Sequence, residues 1–475
     1  MAKQPMKKTK IICTIGPASD NKETLRRLVK AGMNVMRCNF SHGSYEEHGK
    51  KFELMREVNK ELGTNCAILL DTKGPEIRTG DFKNGSAHFK KGQVCVICTE
   101  DIEGTSDRFT ITYKDLYRDV KPGGFILVND GQVELLVDHV EGTDIYTVCA
   151  NDGVVKNKRG INVPGIELGF DFISEKDYED IKFGCENDVN FIAASFVRRP
   201  QDVLDVKKVL IECGKPNIQI IAKIENAEGV EKIDEIIEVA DGIMVARGDL
   251  GVEVPAEDVP LIQKDIIMKC KNAGKVVITA TQMLESMQSN PRPTRAEVSD
   301  VANAIFDGTD AIMLSGESAQ GKYPEEAVWT MHRIALKAES NLDYDSLHRK
   351  AVRSAKKDNS EAICMSVAEI TTKFDVAAII AFTESGFTAK RMSRYRTKCP
   401  IIAATPNGET MRALSLFWGV KTVKCARMNT TEGLLHLSQV IAKENDVQVG
   451  QYIIVTGGTP GVSGQTNYLQ LIEVR

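Results

Sequence analysis

The sequence predicts an α/β protein: a closed (β/α)8 TIM barrel with an inserted all-β lid domain and a C-terminal open α/β domain. Eight short, apolar, β-branched runs carry the barrel. Each ends abruptly in polar or charged residues, and most give way to a charged segment with helical spacing. They are KIICTIG (10–16), NVMRCNF (34–40), CAILLDT (66–72), NFIAASF (190–196), QIIAKIE (219–225), GIMVARGD (242–249), VVITATQ (276–282) and AIMLSGE (311–317). Helical patterns lie at 21–31, 46–61, 199–213 and 260–273. Strands apolar on both faces that alternate with helices belong to parallel sheets, and eight is the number that closes into a barrel.

The runs recur at similar spacing except between the third and the fourth, so something is inserted there. The texture of that segment, 74–164, is different: Gly-punctuated turns such as Lys91-Gly92, Asp130-Gly131 and Glu141-Gly142 separate short runs including VCVICT, FILVND, VELLVDHV and IYTVCA. This is the pattern of a small all-β domain. Removing it leaves roughly 250 residues up to Ser340, the usual size of such a barrel. An insert after a strand end sits over the barrel mouth, where it can act as a lid. Beyond a helix near 325–340 and a polar stretch at 343–358, the runs AAIIAFT, PIIAAT, VKTVKC and YIIVTG begin a third, open α/β domain. The expected divisions are 1–73 and 165–342 for the barrel, 74–164 for the insert and 343–475 for the last domain.

The length of 475 residues suits about three domains. Lys plus Arg number 61 against 66 Asp plus Glu, and a net charge of -5 gives no general attraction to nucleic acid or anionic membranes. Phosphate ligands would have to be held locally. The 12 cysteines are scattered, and Cys95 and Cys98 form a CxxC without a second pair, so reduced thiols are expected rather than zinc or disulfides. The basic start, Met1 to Lys8, runs into a strand without an apolar signal core. No stretch approaches ~18 uninterrupted apolar residues. A cytoplasmic protein without nucleic-acid or membrane partners is expected.

A barrel of this kind builds its site at the C-terminal strand ends. These deliver Arg37 to His42, Asp71-Thr72-Lys73, Lys223-Ile224-Glu225, Arg247-Gly248-Asp249, Thr279 to Gln282 and Ser315-Gly316-Glu317. One charged strand end is ordinarily the edge of solvent; a cluster argues for chemistry. Glu225 and Asp249 end adjacent strands and suit Mg²⁺ or Mn²⁺, a structural salt bridge to Lys223 being the alternative. Lys223 shares a strand face with Glu225 and supplies the fixed cation that a transferring phosphoryl group or developing enolate needs. Arg37 and Arg78 can grip phosphate oxygens or serve as ordinary ion-pair partners. Asn39, Ser41, Asp71 and Thr72 offer hard oxygens with one negative charge, matched to a monovalent cation, although such residues also cap helices. Gly248 leaves its N–H open toward a substrate carboxylate, or simply makes a tight turn. In the last domain, Thr383, Ser385, Gly386 and Thr388 follow a strand and open a helix. They form either an anion cradle or an N-cap and turn.

The segments MNVMRCNFSHG, LLDTKGPEIRTG, IAKIENAEGV, IMVARGDLGVEVP, TATQMLESM and DGTDAIMLSGESAQGKYP resemble, in order, the signature segments of pyruvate kinases, and the resemblance spans essentially the whole chain. It implies a glycolytic phosphotransferase that moves the phosphoryl group of phosphoenolpyruvate to ADP. In that reading Lys223, Arg37, Arg78 and Thr281 are catalytic, with Thr281 near the enolate carbon. Arg37, Lys223, Gly248, Asp249 and Thr281 hold phosphoenolpyruvate, and Asn39, His42, Arg78 and Asp130 lie at the nucleotide. Glu225 and Asp249 hold the divalent ion, and Asn39, Ser41, Asp71 and Thr72 hold K⁺. Glu76, where K⁺-independent members tend to carry Lys, implies K⁺ dependence. Thr383, Ser385, Gly386 and Thr388 resemble an effector phosphate loop faced by the segment 456–467. A sugar-phosphate or nucleotide effector and a homotetramer are family expectations. Cys38 stands where Met or Leu is usual, and the extra phosphohistidine-like domain of some bacterial members is not expected. The rival readings are a metal-dependent aldolase or lyase, which leaves Arg37, Arg78 and the K⁺ cluster unexplained, and a silent sugar-phosphate sensor, which leaves the full catalytic set unexplained.

Overall fold

The computed structural model describes residues 6–458 and 464–475. The chain opens with β1 (Lys10–Thr14), β2 (Val35–Asn39) and β3 (Ala67–Asp71), each almost entirely buried. The helices between them are capped where the sequence provides caps. Asn21 accepts from the Thr24 N–H at the start of Lys22–Ala31, and Ser44 with Glu47 forms a capping box on Tyr45–Leu62.

The inserted domain then contributes β4 (Ile77–Arg78), β5 (Ser86–Phe89), β6 (Val94–Cys98), β7 (Arg108–Thr110), β8 (Phe125–Val128), β9 (Val133–Glu141), β10 (Asp144–Cys149), β11 (Gly153–Lys156) and β12 (Gly160–Asn162). Seven of these form one sheet in the order β4-β12-β8-β9-β10-β6-β7, while β5 pairs with β11. A bridge between Thr79 and Ile111 joins the first and last strands of that sheet, so it curls into a small barrel around its own core, which includes Phe82, Phe89 and Phe109. The inward residues of β9 alternate Val133, Leu135, Val137 with the exposed Glu134, Leu136, Asp138, the period-two pattern of a half-buried strand.

The main barrel resumes with β13 (Phe191–Ala194), β14 (Gln219–Ile224), β15 (Gly242–Ala246), β16 (Val276–Ala280) and β17 (Ala311–Leu314). It closes in the order β1-β17-β16-β15-β14-β13-β3-β2, with parallel pairing throughout. All eight expected strands are present, each ending up to three residues before the apolar run does. The polar tails of the runs therefore stand clear of the hydrogen-bonded ladder, at the barrel mouth. Side chains such as Ile12, Leu69, Phe191, Met244 and Ile278 fill the interior, so the barrel is a packed core rather than a pore.

The final domain holds β18 (Val376–Phe382), β19 (Ile401–Thr405), β20 (Val420–Lys424), β21 (Tyr452–Gly457) and β22 (Tyr468–Glu473), in the order β20-β19-β18-β21-β22. Two features differ from expectation. The polar stretch at 343–358 contains a helix, Tyr344–Arg353, capped by Asp343, whose few buried residues include His348 and Ala351. A narrow contact face is masked in sequence by the charges around it. The antiparallel edge strand β22 has no expected counterpart, because its partly exposed residues do not form an apolar run. This domain packs beneath the barrel: Lys10 Nζ donates to the Val420 carbonyl (2.6 Å), and Arg396 pairs with Asp310 (2.9 Å).

Candidate active site

The charged strand ends converge. Lys223 Nζ lies 3.0 Å from Asp71 Oδ1 and 3.0 Å from Glu225 Oε1, and donates to Ser195 Oγ (2.6 Å). The other oxygen of Asp71 accepts from Arg37 Nε (2.6 Å), and Arg37 Nη1 donates to Thr14 Oγ1 at the end of β1 (2.8 Å). Five strands thus contribute to one buried network of two cations and two carboxylates. Burial pushes the Asp71 carboxyl up, but Arg37 and Lys223 outweigh it and hold the group below its ordinary value. Burial likewise disfavours the Lys223 ammonium, yet Asp71 and Glu225 outweigh it and raise its pKa, so Lys223 is a permanent cation.

Glu225 behaves differently. Burial, together with the nearby charge of Asp249, outweighs Lys223 and the Phe196 N–H and raises its carboxyl to about 7. A buried carboxylate crowded by the charge of the exposed Asp249, and incompletely compensated, is what a divalent cation relieves, so the residues fit such an ion. Among the described residues no group of three or more His, Cys, Asp or Glu side chains assembles to hold a metal, here or elsewhere. Glu225 and Asp249 would supply two ligands, with waters and substrate oxygens completing the shell.

The monovalent set is also brought together at one edge. Asn39 and Asp71 are paired across β2 and β3, the Asn39 side chain accepts from the Ser41 N–H (3.1 Å), and the buried Thr72 hydroxyl accepts from the Ser195 N–H (3.2 Å).

Above this network lies a cleft of about 440 Å³ between the barrel mouth and the inserted domain, lined by Asp249, Phe196 and His42 on one side and by Arg78, Asp130 and Arg159 on the other. Arg37 and Arg78 therefore occupy separate levels: Arg37 is buried among the strand ends, whereas Arg78 faces the cleft from β4, held by Glu76 (2.7 Å) and the Lys158 carbonyl (2.9 Å). Asp130 sits in a tight turn in which Asn129, Asp130 and Gly131 all have positive φ (57°, 56° and 76°). Non-glycine residues hold that conformation only where their surroundings impose it.

Some expected roles change. The Gly248 N–H, expected to be open toward a substrate, donates to Thr281 Oγ1 (2.7 Å), whose own proton goes to the Ala280 carbonyl (2.6 Å). Thr281 and Gln282 have φ of 67° and 53°, which turns the Thr281 side chain back to Gly248. Arg247 and Glu317, counted among the charged strand ends, brace loops: Arg247 pairs with Asp300 (2.7 Å), and Glu317 accepts the N–H groups of Leu284 and Ser315 (3.0 and 2.8 Å). Ser195, Thr14 and Arg159 escaped the sequence reading. Ser195 sits just past β13 in NFIAASF, where only the strand-end position pointed to it.

In the last domain, Thr383, Ser385 and Thr388 line a cavity of about 330 Å³, with Gly386 (φ 85°) capping the helix Phe387–Arg394. Thr388 bonds Thr466 (2.8 Å), so part of the segment 456–467 does face this loop; its positions 459–463 lie outside the described residues.

Comparison with known proteins agrees with this arrangement. Residues 6–328 match the family model described as pyruvate kinase, barrel domain, and residues 361–472 the one described as pyruvate kinase, alpha/beta domain. A pyruvate kinase of Clostridium perfringens is 50% identical over 474 residues, covering 99% of this chain and 100% of that protein. One of Staphylococcus saprophyticus is 51% identical over 470 residues, covering 98% of this chain and 80% of its own. The crystal structure of a pyruvate kinase from Cryptosporidium parvum superposes with a TM-score of 0.95 at 38% identity, covering 99% of this chain and 96% of that one. With eight strand ends, an inserted β domain and a C-terminal α/β domain in matching order, the chain belongs to the pyruvate kinase family.

Proposed function

We propose that this chain transfers the phosphoryl group of phosphoenolpyruvate to ADP, giving pyruvate and ATP in the last step of glycolysis. The observation that carries this reading is Lys223, one ammonium bridging Asp71 and Glu225 beneath a cleft with phosphate-gripping cations. In the reaction a terminal oxygen of ADP attacks phosphorus, the bond to the enol oxygen breaks, and the enolate left behind takes a proton on carbon. Lys223 stays charged throughout and faces the oxygens on which negative charge moves, while Arg37, oriented by Asp71 and Thr14, grips the phosphate. Gly248 shapes the turn that brings Asp249 and Thr281 to the substrate. Glu225 and Asp249 would hold Mg²⁺ or Mn²⁺, which would supply positive charge to neutralise and orient the transferring group. Asn39, Ser41, Asp71 and Thr72 would hold K⁺, which would supply a further fixed charge.

The inserted domain is a lid that carries Arg78 and Asp130 to the nucleotide, with His42 on the opposite wall. The cavity at Thr383, Ser385, Gly386 and Thr388 takes a phosphorylated effector, a sugar phosphate or a nucleotide. The same reading places the enzyme in the cytoplasm as a homotetramer. No helix among the described residues is long and apolar enough to cross a membrane.

The test is pyruvate and ATP formation from phosphoenolpyruvate and ADP with Mg²⁺, in paired reactions with K⁺ or Na⁺. Turnover that needs Mg²⁺ and rises with K⁺ is expected. No turnover in either salt, with sugar phosphates added, would leave the sensor reading standing.

A further inference from the structure

The lid is joined to the barrel at two hinges, and they differ. At the first, the Gly74 N–H donates to Asp177 Oδ1 (3.0 Å) on a barrel helix, and the segment packs against Ser195. At the second, Val163-Pro164-Gly165, space around Gly165 is open. The chain is anchored again by an exposed ion pair of Glu167 with Lys232 (3.4 Å), and then where Arg198 donates to the Leu168 carbonyl (3.0 Å) and covers the Phe170 ring at 4.7 Å.

One contact spans the cleft beyond these hinges. Asn162, the last residue of β12, donates from Nδ2 to Glu253 Oε1 at 2.8 Å. Among the described residues it is the only hydrogen bond between the lid strands and a helix or strand of the barrel. Beside it, Gly131 in the Asp130 turn approaches the Val252 side chain, a Cβ built on Gly131 lying 3.8 Å from Val252 Cγ1. Both ends are well placed. Glu253 closes the helix Arg247–Glu253, whose first turn carries Asp249. Asn162 is paired with Leu127 of β8, and β8 leads directly into the Asn129-Asp130-Gly131 turn, where the Asn129 N–H bonds the Gly160 carbonyl (2.9 Å).

We propose that Asn162 and Glu253 form the latch that sets the lid over the nucleotide. They are positioning residues, acting through Asp130 and Arg78 on the lid side and through the helix of Asp249 on the other. This rests on the cleft being the nucleotide site of the reaction above. Of the groups that hold phosphoenolpyruvate, Arg37 and Lys223 lie on strand ends apart from the latch, and Gly248 and Asp249 lie in the first turn of the helix, which the Gly248–Thr281 and Arg247–Asp300 contacts tie to the barrel independently of Glu253 at its other end. Loss of the bond should therefore weaken ADP selectively.

The experiment compares wild type with N162A, E253A, E253Q and the N162A/E253A double variant, measuring kcat and KM for ADP and for phosphoenolpyruvate, with thermal denaturation as a check on folding. N162A and E253A should each raise KM for ADP about fivefold to tenfold, with KM for phosphoenolpyruvate within about twofold of wild type. The double variant should be no worse than either single one, because each already breaks the same bond. E253Q keeps an oxygen acceptor and should restore most of the ADP affinity, a rescue that a role in charge alone would not give. A wild type without turnover would overturn the activity itself. Active variants with unchanged KM for ADP, equal effects on both substrates, or additive losses in the double variant would overturn the latch alone. If the alanine variants fail to fold, E253Q against E253K decides: a latch predicts near wild-type KM for the first and a raised KM for ADP in the second.

Discussion

Lys223 Nζ and Glu225 Oε1 stand 3.0 Å apart although the two residues are only two positions apart in the chain. That geometry follows from the pleat, which turns alternate side chains to one face, so the cation and the carboxylate proposed as catalytic group and metal ligand come from a single strand end. Lys223→Met should lower kcat by at least about 100-fold, the range for removing one preorganised charge-stabilising group. Circular dichroism and the C-terminal cavity should be unaffected. Steady-state turnover of the purified variant checks this; retention of more than a tenth of wild-type kcat would remove Lys223 from the chemistry.

Glu225 gives a pH prediction. With its carboxyl raised to about 7 in the metal-free protein, it is largely protonated below that pH, and a divalent ion must displace the proton. Mg²⁺ affinity should therefore fall as pH drops below about 7, and binding at neutral pH should release a proton. The stability sign is opposite: the folded pKa lies above the unfolded value near 4.5, so this group's stabilising contribution is present below that value and lost as pH rises through about 7. Calorimetric titration of Mg²⁺ in two buffers of different ionisation enthalpy measures the proton directly, and identical heats in both would contradict the assignment.

Gly74 is the residue at the first hinge that cannot acquire a side chain. Its φ is 74°, and a Cβ would stand 2.8 Å from Ser195 Cβ and 2.9 Å from the Ser195 carbonyl oxygen. Gly74→Ala should cost about 1–3 kcal/mol from backbone conformation alone. It should also displace Ser195, which bonds Lys223 (2.6 Å) and the Thr72 carbonyl (2.7 Å). A lowered midpoint of denaturation accompanied by a lower kcat is expected, and a variant as stable and active as wild type would show that the hinge readily yields.

Glu339 holds the barrel floor to the start of the chain. Its two oxygens accept the N–H groups of Lys8 (2.9 Å) and Thr9 (2.6 Å), and it is buried beside Lys7, Lys8 and Lys10. Burial lowers these lysines to about 7, 8 and 8, with Glu339 opposing the shift in each. Glu339→Ala leaves two buried donors unpaired and should destabilise the protein by about 3 kcal/mol. Chemical denaturation followed by fluorescence measures the loss, and a change under about 1 kcal/mol would mean that water replaces the carboxylate.

By itself the sequence determined the eight barrel strands, the point of insertion and the residue types at the barrel mouth. These are local properties: apolar periodicity and the abrupt polar end of each run survive without knowledge of any neighbour. It also placed the helices 22–31 and 45–62 to within a residue or two, because Asn21 and Ser44 cap them from adjacent positions in the chain. Tertiary structure decided which charges work together. Asp71, Ser195 and Lys223 are far apart in sequence and meet only because β3, β13 and β14 are neighbours in the barrel. The same closure committed Arg247 and Glu317 to bracing loops, turned the Gly248 N–H to Thr281, and set Asn162 against Glu253 across the cleft. A side chain's partner depends on which strand ends the closed sheet brings side by side, and no single run carries that information.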